Sequence, residues 1–90
     1  MIKHMSRVIT VYNQKTSMRL TDIEWHILDE ICFSERLKRK KLLEQISAHH
    51  SRYLKLTPAV RLFSLLYLYN LSKNHPPVRN DIDSILHKLL

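Results

Sequence analysis

From Lys15 to Leu20 the side chains alternate in character: Lys15, Ser17 and Arg19 take the odd positions, Thr16, Met18 and Leu20 the even ones. In extended backbone, neighbouring side chains point to opposite faces, so each set of three shares one face. Two cations and a hydroxyl on one face offer hydrogen-bond donors to an anionic partner. Met18 and Leu20 give the other face its only properly apolar positions. A second cationic cluster follows in "RLKRKK", Arg36 to Lys41. If a helix starts there, these cations sit at the positive end of its dipole, where they are unfavourable. Either an anion occupies that end, or the long side chains splay into solvent.

Other chemistries find little support. The chain has no glycine, which removes phosphate-cradling loops and dinucleotide-binding turns. Its one cysteine, Cys32, allows neither an intrachain disulfide nor a cysteine-rich metal site. Cys32 lies on an apolar helical stripe, where a thiol behaves as a small hydrophobe. His49 and His50 are adjacent and so point about 100° apart on a helix, poor geometry for chelation. His26 and Cys32 are six apart and also diverge. No spacing suggests a nucleophile paired with a base. The expectation is a protein without catalysis, metal or cofactor.

The net charge of +7 is arranged in blocks. Residues 1–20 carry Lys3, Arg7, Lys15 and Arg19 and no acid; residues 21–33 carry Asp22, Glu24, Asp29 and Glu30 and no base. The following stretch to Lys55 is basic again. Such blocks fit a polyanion-binding face, and equally a solvated one. Ninety residues bury only about two-thirds of the unfolded surface, and small chains without staples often gain stability by oligomerising. The densest apolar run, "AVRLFSLLYLYNL", has 13 residues and includes Arg61, short of the roughly 20 that span a bilayer. With no apolar signal region at its start, the chain is expected in the cytoplasm.

The elements that must position these residues follow from local signals. "VITVY", Val8–Tyr12, is β-branched and reads as extended. "NQ" is a weak turn, and without glycine a tight two-residue hairpin is unfavoured. "TSMRL" then reads as a short strand with no partner downstream. Thr21 and Glu24 form a capping box for a helix over 22–33, with Trp25, Leu28, Ile31 and Cys32 as its core stripe. A second helix is predicted over 38–50, with Leu42, Leu43 and Ile46 inward. Thr57 and Pro58 open a third, apolar nearly all round, which implies burial on more than one side and a partner subunit against part of it. Beyond Pro76–Pro77, Asn80 is placed to cap a last helix over 81–89.

Strand, helix, helix, with a threonine cap directly after the strand, resembles the ribbon-helix-helix proteins of the Arc and MetJ kind. The matching residues are "TSMRLTDIEWHILDEI" and "LKRKKLLEQI". "SRVITVYNQKTSMRL" with "TPAVRLFSLLYLYN" is also similar to a bacterial subgroup bearing an additional helix after the core. The resemblance spans residues 6–70 and implies a mainly α fold with an intermolecular two-stranded antiparallel β-ribbon. Residues 1–14 would be an N-terminal arm or extra strand, 15–72 the domain with its additional helix, and 73–90 a linker and short helix. In that family each strand pairs with its two-fold mate, which would explain a lone strand. Met18 and Leu20 would then complete a dimer core, with Thr16 at its edge.

The resemblance further implies that Lys15, Ser17 and Arg19 enter the major groove of duplex DNA. Arg and Lys can donate to guanine O6 and N7, and serine can donate or accept. Arg36, Lys38, Arg39 and Lys40 would hold phosphates near the second helix. Two departures stand out: the family commonly has glycine before the second helix and serine or threonine at its cap, where this chain has Arg36 and Lys38. Ser34 offers an alternative cap. "VITVY" either folds back on the ribbon or lies along DNA as an arm. The implied function is a repressor-type transcriptional regulator, a homodimer that covers a short operator, often beside neighbouring dimers. Two rivals are an antitoxin whose residues 73–90 engage a protein partner, and a helical interaction module without DNA.

Overall fold

The structure is a computed structural model, described for residues 2–49, 55–73 and 82–88. It begins with β1 (His4–Val11) and β2 (Gln14–Thr21), paired antiparallel from Val11 opposite Gln14 to His4 opposite Thr21. Four helices follow: α1 (Asp22–Glu35), α2 (Arg39–His49), α3 (Leu56–Lys73) and α4 (Ile82–His87). The β-ribbon followed by two helices and additional C-terminal helices is the fold the sequence predicted.

The ribbon's origin differs from the expectation. β2 is not lone: its mate is β1 of the same chain, so "VITVY" folds back instead of leaving as an arm. The tight turn that absence of glycine argued against is made by Tyr12 and Asn13, with φ of 50° and 65°. Asparagine tolerates this left-handed region, whereas tyrosine is strained there. Tyr12 is held from α2: its N–H donates to Glu44 Oε2 and its hydroxyl to the Glu44 carbonyl, each at 3.0 Å. A tertiary contact thus does what glycine does elsewhere.

Thr21 caps α1 as predicted. Its Oγ1 accepts from the Glu24 N–H at 3.1 Å, and its own N–H donates to Glu24 Oε1 at 2.8 Å. The helix runs two residues past its predicted end at 33, which places Ser34 inside it and removes Ser34 as a cap for α2. Arg36 then turns left-handed, φ 55° and ψ 42°. The Arg36 and Leu37 amides donate back to the Phe33 and Cys32 carbonyls at 3.3 and 2.9 Å, the paired bonds of a Schellman stop. α3 starts one residue before the predicted cap: the Lys55 carbonyl accepts from Ala59 N–H at 3.0 Å, so Thr57 lies within the first turn. α4 is shorter than 81–89, and its predicted cap Asn80 and apolar Leu89 lie outside the described residues.

One core joins the elements. Met18 and Leu20 from β2, Ile9 and Val11 from β1, Leu28 from α1, Leu42, Leu43 and Ile46 from α2, Phe63 from α3, and Ile85 and Leu86 from α4 are all buried. Burying each large aliphatic side chain stabilises by about 1.5–3 kcal/mol. Met18 and Leu20 therefore serve the chain's own interior, and Thr16, expected at the inward edge, is exposed. Trp25 is 1% exposed and its Nε1–H donates to the Met5 carbonyl at 2.8 Å, fastening the base of the hairpin to α1.

Candidate nucleic-acid interface

The hairpin register fixes what the solvent face presents. Residues directly opposite share a face, so β2's Lys15, Ser17 and Arg19 stand beside β1's Thr10, Val8 and Ser6. Lys15, Ser17 and Arg19 are all exposed, on one face as the alternation predicted. No carboxylate occurs on either strand.

The backbone adds a second property to β2. In a two-residue hairpin the pair flanking the turn exchanges both hydrogen bonds, and bonded and non-bonded pairs alternate from there. Val11 and Gln14 flank the turn. The bond from Asp22 N–H to the Lys3 carbonyl, 2.8 Å, continues the alternation. The N–H and C=O groups of Lys15, Ser17 and Arg19 therefore point away from β1. Among the described residues no backbone group meets them. Alongside β2, α1 and α3 bound a groove of about 160 Å³ lined by Leu20, Ile27, Val60, Leu65 and Leu68, among others. Leu65 on α3 is 64% exposed, and Ile23 in the first turn of α1 is 52% exposed. α3 buries Ala59, Val60, Phe63 and Tyr67 inside the chain and leaves Leu65, Leu68, Tyr69 and Leu71 at the surface.

The cationic cluster divides in two. Arg36, Lys38 and Lys40 are exposed around the α1–α2 junction. Arg39 is not free in the same way. Its Nε and Nη2 donate to Asp29 at 2.6–2.9 Å, and its guanidinium lies 5.3 Å from the Trp25 ring centre. Arg7 approaches the same ring at 4.8 Å, so one indole carries two guanidiniums. This stack ties β1, α1 and α2 together and orients the start of α2. Lys38 occupies the position before α2, its carbonyl accepting from Leu42 N–H at 3.1 Å. The first turn of α2 holds no acid.

A profile of the ribbon-helix-helix domain matches residues 4–68, more than half of the chain. The chain belongs to the ribbon-helix-helix family. Its members are DNA-binding regulators, generally acting as dimers and typically without catalysis. No curated protein and no solved structure matches it.

The ribbon-helix-helix elements also account for groups that could suggest other chemistry. Burial pushes the Cys32 thiol up, Asp29 adds to this, and Arg39 partly opposes it, which leaves the thiol poorly nucleophilic at neutral pH. Burial alone would raise the Glu24 carboxyl; the Thr21 backbone, Arg61 and the Thr21 hydroxyl together hold it below the ordinary range. Among the described residues no group of three or more His, Cys, Asp or Glu is placed to hold a metal ion. No described helix is long and apolar enough to cross a membrane. Sequence reasoning missed the Arg7–Trp25–Arg39 stack. Its only sequence signal is an arginine alternating with apolar residues on the inward face of β1, a position that asks for an internal partner.

Proposed function

We propose that this chain is a sequence-specific duplex-DNA-binding transcriptional regulator of repressor type, a homodimer acting in a bacterial cytoplasm. The supporting observation is the coincidence on one strand of exposed Lys15, Ser17 and Arg19 with a backbone edge that no backbone group pairs among the described residues. Two copies joined through that edge form a continuous antiparallel sheet, and the largely apolar groove between α1 and α3 reaches β2 at Leu20. The three outward side chains from each copy then meet the bases. A two-stranded ribbon fits the major groove, and Arg19 and Lys15 supply donors suited to guanine. Arg36, Lys38 and Lys40 contact phosphates, while Arg39, bound to Asp29 and Trp25, positions the α2 end that carries them. Bound dimers, side by side on longer operators, block access to the duplex.

Such a regulator needs no cofactor. The antitoxin alternative is less well supported, because α4 buries Ile85 and Leu86 against α2 and α3 instead of standing free for a partner. Selection of bound fragments from random duplexes by the purified protein tests the proposal. Enrichment of a two-fold-related sequence, with affinity falling steeply with salt, is the expected result. Retention of no duplex at low salt, as a DNA-independent module would show, overturns it.

A further inference from the structure

The outward face of β1 belongs to no function assigned so far. Val8, at 72%, is among the most exposed large hydrophobic side chains of the described residues, and it lies at the centre of that face directly opposite Ser17. Ser6 lies opposite Arg19 and Thr10 opposite Lys15. Each charged row across the hairpin therefore ends in a hydroxyl on β1 and a cation on β2.

The dimensions decide what this arrangement can meet. In a sheet ordered β1–β2–β2–β1 across two copies, the outer strands stand three strand spacings apart, about 14 Å. The major groove is about 12 Å wide. The central pair enters the groove, and the two β1 strands rest over its walls, which are sugar and phosphate. Hydroxyls suit phosphate oxygens. An exposed valine between them suits the apolar face of deoxyribose.

We propose that Ser6, Val8 and Thr10 of β1 form a pair of rails, one per copy, that seat on the DNA backbone along both walls of the groove. The inference rests on the reading of Lys15, Ser17 and Arg19 as the base-contacting row. The rails contribute affinity without sequence preference and fix how deep the central strands enter. Unlike the cations at the α1–α2 junction, they do so without charge.

Two substitutions at the exposed Val8 test this, with Arg19→Ala as comparator, using fluorescence anisotropy on a selected duplex and a scrambled one. Circular dichroism confirms folding. Val8→Glu brings a carboxylate to each wall and should weaken both duplexes alike, by on the order of tenfold or more. Val8→Lys should tighten both alike and steepen the dependence of log affinity on log salt by about 2 per dimer. If Val8 variants change the ratio between the duplexes, β1 lies among the bases and the rails are wrong. If they bind as the parent does while Arg19→Ala loses discrimination, β1 stands clear of DNA, and only the rails fall. If all three bind as the parent, the reading of the whole hairpin face falls with them.

Discussion

Arg36 figures both in the stop of α1 and in the proposed phosphate contact, and two substitutions there separate the two roles. The residue sits at φ 55° and ψ 42°, ending α1 through the bonds from Arg36 and Leu37 to Phe33 and Cys32. A side chain with a Cβ costs about 1–2 kcal/mol in this left-handed region, and glycine none. Glycine's greater freedom in the unfolded chain takes back about 0.4–1 kcal/mol. Arg36→Gly should therefore stabilise the protein by about 0.5–1 kcal/mol. For a domain of this size that raises the midpoint of thermal unfolding by about 2–8 °C. Arg36→Ala keeps the strained Cβ and should give no gain. Both variants remove the same exposed cation, so both should weaken DNA binding equally and lower the salt slope by about 2 per dimer. Urea and thermal unfolding with salt-titrated DNA binding on the three proteins supply the comparison. Were Arg36→Gly no more stable than Arg36→Ala, the left-handed stop would not be where the strain lies. Were DNA affinity unchanged in both, Arg36 would not contact phosphate.

Other consequences concern the supports of the interface. Replacing Glu44 with alanine removes the acceptor for the Tyr12 N–H and should cost on the order of 1 kcal/mol; hydrogen exchange should show the Tyr12 amide opening faster, and unchanged protection would mean that the turn holds itself. Glu24, held below the ordinary carboxylate range in the folded chain, contributes stability that is present above the unfolded value and is lost as pH falls through the folded one. The stability difference between the parent and Glu24→Gln should therefore shrink on acidification through that window; a gap that stays constant with pH would remove the ionised capping box as its cause. Cys32 should react with thiol reagents at neutral pH far more slowly in native protein than in urea, since it is buried and its thiolate is disfavoured. Equal rates would place it at the surface.

The parts legible in the sequence are those with local causes. The capping box at Thr21 announced α1 because Thr21 and Glu24 satisfy each other three residues apart. Alternation alone placed Lys15, Ser17 and Arg19 on one face, since period two leaves no other arrangement in a strand. What escaped depended on distant partners. The Tyr12–Asn13 turn looks improbable without glycine, and it exists because Glu44, 32 positions on, holds it. β2 looks solitary when turn chemistry alone decides whether it has a mate. Arg39 reads as one cation of a run, and only the fold brings Asp29 and Trp25 against it. The apolar excess of α3 is visible in the sequence. How it divides between the core side, with Phe63 and Tyr67, and the surface side, with Leu65 and Leu68, required the packed helices.

That the exposed row on β2 meets bases is tested most directly by the discrimination ratio of Arg19→Ala. The ratio is the affinity for a selected duplex over that for a scrambled one, measured at one salt concentration. The substituted side chain lies on the solvent face, so the fold should survive. Discrimination should weaken by about 1–3 kcal/mol for each guanine whose paired hydrogen bonds from Arg19 are removed. A ratio equal to the parent's, with or without a uniform fall in affinity, would show that Arg19 does not read sequence.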